Sequence, residues 1–264
     1  MLEQLGAKPF IAPVLTPEAA DDLLSGCDAC IHFIGITGGS ASQFEQINVG
    51  SARVILNAAI RQGLSRIVTP SGLGVDQYGL SWWATNPYFL SKMHLEELFR
   101  VTQQPFVIFR PTYILGPGDE LIPYMVKCLQ RGVYQIPGEG TSPMQPIFVE
   151  DVANAMLNAA EGRGPSNTIY DLVGPSIVNL RQLVAMVEES MTRIFDFRGS
   201  YTIESVPLEN APEVLGLSNE DIGVSQCDLL GNPEPMIRNL GIRLTPLQDA
   251  IDAAVTAAYK KKAD

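Results

Sequence analysis

Strands alternating with helices predict an α/β fold built on a doubly wound parallel sheet, with a small C-terminal α+β lobe added to it. Two features of the sequence carry that class. Apolar runs at 30–36, 66–69 and 106–110 each leave through Gly- or Pro-containing segments, as strands buried on both faces do. Between them lie amphipathic stretches of helical period, at the spacing that parallel crossovers need. The size agrees: 264 residues, 46% hydrophobic and 18% charged, make a globular composition with enough apolar material for a sizeable core.

The elements follow in order. Residues 6–15, GAKPFIAPVL, form an apolar segment broken by prolines and predict an edge or peripheral strand. Thr16 and Pro17 open a helix as N-cap and first-turn proline, running to about Leu24 and ending at Gly26. A buried strand at 30–36 finishes in Thr37-Gly38-Gly39-Ser40. A helix over 44–62 places Val49, Ala52, Ile55, Leu56, Ala59 and Ile60 on one face, and Gly63 closes it.

A strand at 66–69 leaves through Pro70-Ser71-Gly72-Leu73-Gly74. The helix at 86–99 is followed by a strand at 106–110, a Gly/Pro loop at 111–119 and a helix at 121–131. An irregular stretch at 138–146, a short strand at 147–149, a helix at 150–160 and a strand at 168–173 complete the sheet region, 1–178. The region 179–264 reads as the small lobe: helices at 180–194 and 210–217, a strand at 201–206, and a closing helix at 246–260 before a frayed polar tail.

Charge and composition narrow the partners. A formal charge of −11 argues against nucleic acid or an anionic membrane surface, while leaving room for a local basic pocket. No stretch approaches the ~20 apolar residues that span a bilayer. The first residues, MLEQLGAKPF, lack the basic-then-apolar pattern of a signal peptide, so a cytoplasmic protein is expected. Four scattered cysteines do not form a disulfide framework, and the Cys27/Cys30 pair has no second pair to complete a metal site. Structural thiols and no metal are expected.

Tyr88 and Lys92 stand four residues apart in NPYFLSKMHLEELF. On a helix that spacing puts phenol and ammonium on one face, so both can point into one cleft. A neighbouring Lys favours the phenolate and would lower the Tyr pKa toward the working range of an acid/base catalyst. The same two residues, taken alone, also fit a rim aromatic and a solvated charge. Leu90, Met93, Leu95 and Leu98 form the apolar stripe of this helix, with Glu96 and Glu97 expected to face water.

Seven segments in order, GCDACIHFIG, NVGSARVILNAA, RIVTPSG, PYFLSKMHLEE, FRPTYILGPGD, IFVEDVANAM and IYDLVGP, resemble the extended and atypical short-chain dehydrogenase/reductase superfamily. The likeness is to its NAD-dependent nucleotide-sugar epimerase/dehydratase branch and to the complex I 39-kDa-subunit-like group, whose closing segment LGIRLTPLQDAI also resembles. The resemblance implies a Rossmann-like fold with NAD or NADP as cofactor. It implies Tyr88 as catalytic acid/base, with Lys92 binding the nicotinamide ribose. Ile34 and Gly35 would pass beside the cofactor, outside the carboxyl end of their strand. Pro111, Thr112, Tyr113 and Ile114 would line the nicotinamide and substrate side. Gly116 and Gly118 would shape the turn over the substrate, and Asn48 matches a helix asparagine that is often structural.

Two departures from the family stand out. Its small polar catalytic residue after the strand at 66–69 would fall at Leu73, with Ser71 two residues earlier as the available substitute. The family's opening strand, G-x-x-G-x-x-G turn and helix are also missing, roughly 30 or more residues that normally cradle the pyrophosphate. The sheet is therefore expected to be N-terminally truncated. A fragment, a natural short form, and a partner chain that supplies the strands all fit. An exposed sheet edge would promote association, into a homo-oligomer or larger complex.

The expected function is an NAD(P)-dependent oxidoreductase or epimerase acting on a nucleotide-sugar or other small hydroxy or carbonyl compound. Trp82 and Trp83 are candidate pocket walls. The alternative is a non-catalytic nucleotide-binding or assembly subunit of the 39-kDa-like type.

Overall fold

Val107, Ile108 and Phe109 lie on consecutive positions of one strand and are all fully buried, so that strand is covered on both faces. The computed structural model, which describes residues 3–12, 14–80 and 86–260, gives the reason. Strands β1 (Ala29–Ile31), β2 (Arg66–Pro70), β3 (Phe106–Pro111) and β7 (Thr168–Leu172) form a parallel sheet in the order β1-β2-β3-β7. Ile67 and Ile108 point to one face, into a core with α1 (Pro17–Leu24), α3 (Ser51–Gln62) and α4 (Pro87–Arg100). Val68, Val107 and Phe109 point to the other, against α6 (Val149–Ala160) and α10 (Glu234–Leu240).

A further core gathers α5 (Leu121–Arg131), α7 (Leu180–Phe195) and α11 (Leu247–Lys260) through Ile122, Met125, Leu183, Val187, Ile251 and Val255. Two short parallel pairs border it. The pair β4 (Ile114–Leu115) with β6 (Ile147–Phe148) follows the end of β3, and β5 (Val133–Pro137) pairs with β8 (Thr202–Val206). Leu73, directly after β2, is buried in this same core, which ties the loop at the end of the sheet to the C-terminal helices.

Several elements differ from their sequence expectation. The described part of 6–15 makes no ladder and leaves Phe10, Ile11 and Val14 exposed, because its prolines remove ladder donors. The strand expected over 30–36 pairs only through Ala29–Ile31, and Phe33 and Ile34 are exposed. Among the described residues the outer edge of β1 has no strand partner. The helix expected from 44 starts earlier, as α2 (Ala41–Phe44), capped by Ser40 with Gln43 in a capping box. It widens into a π-helical turn over Glu45–Gly50 before α3.

Strands β4 and β5, and helices α9 (Asn219–Ser225) and α10, have no counterpart in the expected element list, being short and without a full period. Trp82 and Trp83 lie outside the described residues. Among those described, no helix is long and apolar enough to cross a membrane.

Candidate active site

Asn86 and Pro87 start the helix that carries the Tyr/Lys pair. The Asn86 side chain accepts a hydrogen bond from the Phe89 N–H at 2.9 Å, and Pro87 sits in the first turn, where a missing N–H costs nothing. One turn on, Tyr88 and Lys92 share a face as their spacing required. The Lys92 Nζ lies 5.7 Å from the centroid of the Tyr88 ring. Phe44 and Phe89 meet that ring edge-on, at 5.9 and 5.8 Å between centroids, and hold its orientation.

The end of β2 completes the pair's surroundings. Lys92 is buried and donates from Nζ to the Pro70 carbonyl at 3.3 Å. A side chain on Gly72 would come within 3.9 Å of the Tyr88 hydroxyl, so the loop after β2 runs against the phenol. Ser71 is 2% exposed, its N–H is bound to the Phe109 carbonyl, and its Oγ has no hydrogen-bond partner. The Thr112 hydroxyl, just past the end of β3, is likewise buried without a partner. Buried hydroxyls are nearly always bonded, so two orphans around one loop pair are candidate ligand contacts. Leu73 is not a polar substitute: it packs into the C-terminal core, with its N–H on the Pro111 carbonyl.

Electrostatics at the pair are set by burial. Desolvation lowers the Lys92 pKa to about 8 and raises that of Tyr88. The expected lowering of the Tyr88 pKa is thus reversed here, because loss of solvent around the phenol outweighs the nearby ammonium. His32 is driven down to about 4, first by burial and then by the Lys92 charge. It is neutral at physiological pH, between the hydroxyls of Thr69 and Ser51, each at 3.4 Å.

Asn48 sits in the π-helical turn, fully buried, and acts as a clasp. Its Oδ1 accepts from the Ile36 N–H at 2.7 Å, and its Nδ2 donates to the Ile36 carbonyl at 3.2 Å and to Ser91 Oγ at 3.0 Å. Ser91 Oγ in turn donates to the Tyr88 carbonyl at 2.8 Å. The clasp thereby fixes the chain after β1 relative to the Tyr88 helix. Asn48 thus has the structural role that its match to the family's helix asparagine implied. Ser91 was not singled out in the sequence, since a serine on a helix carries no signal of its partner. Ile34 and Gly35 come off the end of β1 beside this clasp. A Cβ on Gly35 would lie 3.2 Å from Asn48 Oδ1 and 3.9 Å from Lys92 Nζ.

Pro111, Thr112, Tyr113 and Ile114 run from the end of β3 into β4, on the lobe side of the sheet. Burial pushes the Tyr113 phenol up to about 12, with Cys227 and Asp221 adding to it. The Gly116–Gly118 turn is pinned by Asp119, whose carboxylate accepts from the N–H groups of Gly116 and Ile122 and so also caps α5. A cavity of about 460 Å³ opens between Leu73 to Gln77 of the loop after β2, Asp171 of β7, and the lobe segment around Asp228.

Glu96 does not face water, as its place on the helix predicted; it is 3% exposed. Arg110 of β3 makes a two-pronged ion pair with it, both contacts at 2.8 Å, and Arg100 adds a third at 3.1 Å. Burial of this carboxylate is tolerated because its charge is met on two sides. Cys27 and Cys30 carry free thiols, and burial pushes that of Cys30 up to about 11. Among the described residues no cluster of His, Cys, Asp or Glu is arranged to hold a metal.

Comparison with known proteins gives the family and the fold. The family model described as NAD dependent epimerase/dehydratase family matches residues 7–172. The chain is 25% identical over 235 residues to a 2-alkyl-3-oxoalkanoate reductase of Stenotrophomonas maltophilia (strain K279a), covering 78% of this chain and 71% of that protein. It is 26% identical over 204 residues to the N-acetyl-alpha-D-glucosaminyl-diphospho-ditrans,octacis-undecaprenol 4-epimerase of Escherichia coli O157:H7, covering 69% of this chain and 60% of that protein. The chain thus spans only part of the length of the curated relatives it matches. Its fold is similar to that of the Bordetella bronchiseptica enzyme WbmH, solved in complex with NAD+, with a TM-score of 0.74, 20% identity, and coverage of 93% of this chain and 81% of that one.

Proposed function

We propose, from the premise that the chain belongs to the NAD-dependent epimerase/dehydratase family, that it is an NAD(P)-dependent oxidoreductase or epimerase. Its substrate would be a small hydroxy or carbonyl compound, a nucleotide-sugar among the candidates, and Tyr88 would move the proton. The observation that carries this reading is the buried Lys92 ammonium beside the Tyr88 ring, on one helix face and against the end of β2.

The residues present fit the nicotinamide side of such a cofactor. Gly35 leaves the backbone after β1 bare next to Lys92, and the orphaned Thr112 hydroxyl lies at the end of β3. Ile34, Gly35, Lys92, Pro111, Thr112, Tyr113 and Ile114 would hold it. When bound, the nicotinamide supplies the hydride donor or acceptor. Tyr88 would give its phenolic proton to a substrate carbonyl oxygen, or take one from a hydroxyl. The raised Tyr88 pKa keeps that proton in place at neutral pH, which suits the carbonyl-reducing direction. Lys92 would stabilise the phenolate as it forms. Ser71 would donate its free hydroxyl to the same substrate oxygen, ending its orphan state.

Titration of the full chain with NADH and NADPH, followed by thermal shift and turnover of a carbonyl panel, tests this. Binding with turnover that falls about 10²-fold or more in Tyr88→Phe is expected. Full turnover in Tyr88→Phe, or no cofactor binding up to millimolar, would overturn it. Leu73 favours a second reading, a non-catalytic nucleotide-binding or assembly subunit, because the family's polar slot is here given to core packing. That reading predicts binding without turnover.

A further inference from the structure

The cavity beside the proposed site carries a definite charge. Its walls hold Leu73, Gly74, Asp76 and Gln77 from the loop after β2, Asp171 from β7, and Gln226 to Asp228 with Leu230 from the lobe. It adjoins the chemistry through the chain itself. Gly72, on which a Cβ would lie 3.9 Å from the Tyr88 hydroxyl, runs directly into Leu73 and Gly74 of the wall.

Three carboxylates, Asp76, Asp171 and Asp228, face this space, and among the described residues no Lys, Arg or His lines it. Arg110 reaches Asp76 at 3.4 Å but is already committed to Glu96 by two contacts at 2.8 Å. Arg110 and Arg100 between them meet the Glu96 charge, and among the described residues only Asp76 of the three wall carboxylates has a guanidinium within ion-pair distance. The chain as a whole carries −11 and adds no compensating field.

Resting on the oxidoreductase reading above, we infer that this cleft selects a phosphate-free substrate, uncharged or cationic, and rejects nucleoside-diphosphate-linked compounds. A diphosphate brought among these carboxylates would find no partner for its charge, and like charges at close range in a partly enclosed cleft repel strongly. Hydroxyl or ammonium groups, in contrast, are donors that the three carboxylates can accept. Gln77 and Gln226 supply neutral polar contacts, and Leu73 and Leu230 supply an apolar wall. The partnerless Ser71 hydroxyl, nine-tenths and more buried, lies two residues before the wall on the same loop and leaves a hydrogen bond there for a polar ligand group.

Saturation-transfer NMR on the full chain, with glucosamine, glucose and UDP-glucose as probes at equal concentration, tests the inference without turnover. Glucosamine and glucose should give signals, with UDP-glucose at least about tenfold weaker in affinity than glucosamine. Asp76→Asn/Asp171→Asn/Asp228→Asn should close that gap. Asp228→Lys, at an exposed position, should narrow it alone if the triple variant misfolds. The inference is overturned by UDP-glucose binding as tightly as glucosamine, by a gap that neither variant moves, or by no signal from any probe. Cofactor binding and carbonyl turnover are read separately. Turnover lost with charge discrimination intact would sink the oxidoreductase reading, and turnover intact without discrimination would sink only this one.

Discussion

Asn48 Nδ2 donates a 3.0 Å hydrogen bond to Ser91 Oγ, joining the π-helical turn to the helix that carries Tyr88. The same amide holds both backbone groups of Ile36. Removing it in Asn48→Ala leaves those groups without a partner. We expect a loss of about 1–3 kcal/mol in urea denaturation. Asn48→Asp keeps the acceptor for the Ile36 N–H but sets a buried carboxylate oxygen against the Ile36 carbonyl. It should lose at least as much at neutral pH and recover part of that loss as the carboxyl protonates in acid.

Glu96 and Arg110 form a buried pair whose halves depend on each other. Glu96→Ala leaves the guanidinium with its longer contact to Asp76, and should cost about 3–5 kcal/mol. The double variant Glu96→Met/Arg110→Met should recover most of that loss, since the pair's net contribution is small against well-packed apolar replacements. Additive losses in the double-mutant cycle would contradict this.

Burial of Lys92 makes a pH prediction with a definite sign. Its pKa falls from 10.5 to about 8 on folding, so between those values the unfolded chain binds more protons than the folded one. The contribution of Lys92 to stability therefore rises with pH through that window. Lys92→Met, which lacks the buried charge, should be more stable than the parent at pH 7.5, and its advantage should shrink by about 1–2 kcal/mol by pH 9.5. The same substitution removes a charge that helps hold His32 near a pKa of 4. NMR titration should show the His32 midpoint moving upward in Lys92→Met, with His94→Gln used to separate the two imidazoles.

Gly174, two residues past the end of β7, leaves no room for a side chain. A Cβ there would lie 1.9 Å from the Pro146 carbonyl oxygen, a backbone atom that cannot move without displacing the start of β6. Gly174→Ala should cost about 3 kcal/mol or more in denaturant unfolding. Wild-type stability in that variant would mean that the 146–147 segment yields more easily than its burial implies.

Much of the fold was legible because its signals are local. Short apolar segments gave β2 and β3, the alternation with helices gave β7, and helical period, with a cap at α1, gave α1, α5, α7 and α11 to within a residue or so at each end. The Tyr88/Lys92 juxtaposition was legible for the same reason, since four residues on a helix are one turn. Short pieces without a period, such as β4, β5, α9 and α10, were not. The segment at 6–15 misled because its apolar residues suggested a strand while its prolines forbade the ladder.

By itself the sequence determined the parallel α/β class, the order of the elements, and which helix presents the phenol and the ammonium, because periodicity and capping act over a few residues. Only the tertiary structure decided the rest. It buried Glu96 by bringing Arg110 to it from a strand, raised the Tyr88 pKa by removing solvent, and built the Asn48 clasp across three segments. It also set three carboxylates from distant segments, Asp76, Asp171 and Asp228, around one cavity. Charge pairing and desolvation depend on which residues meet in space, and the local pattern of a chain does not carry that information.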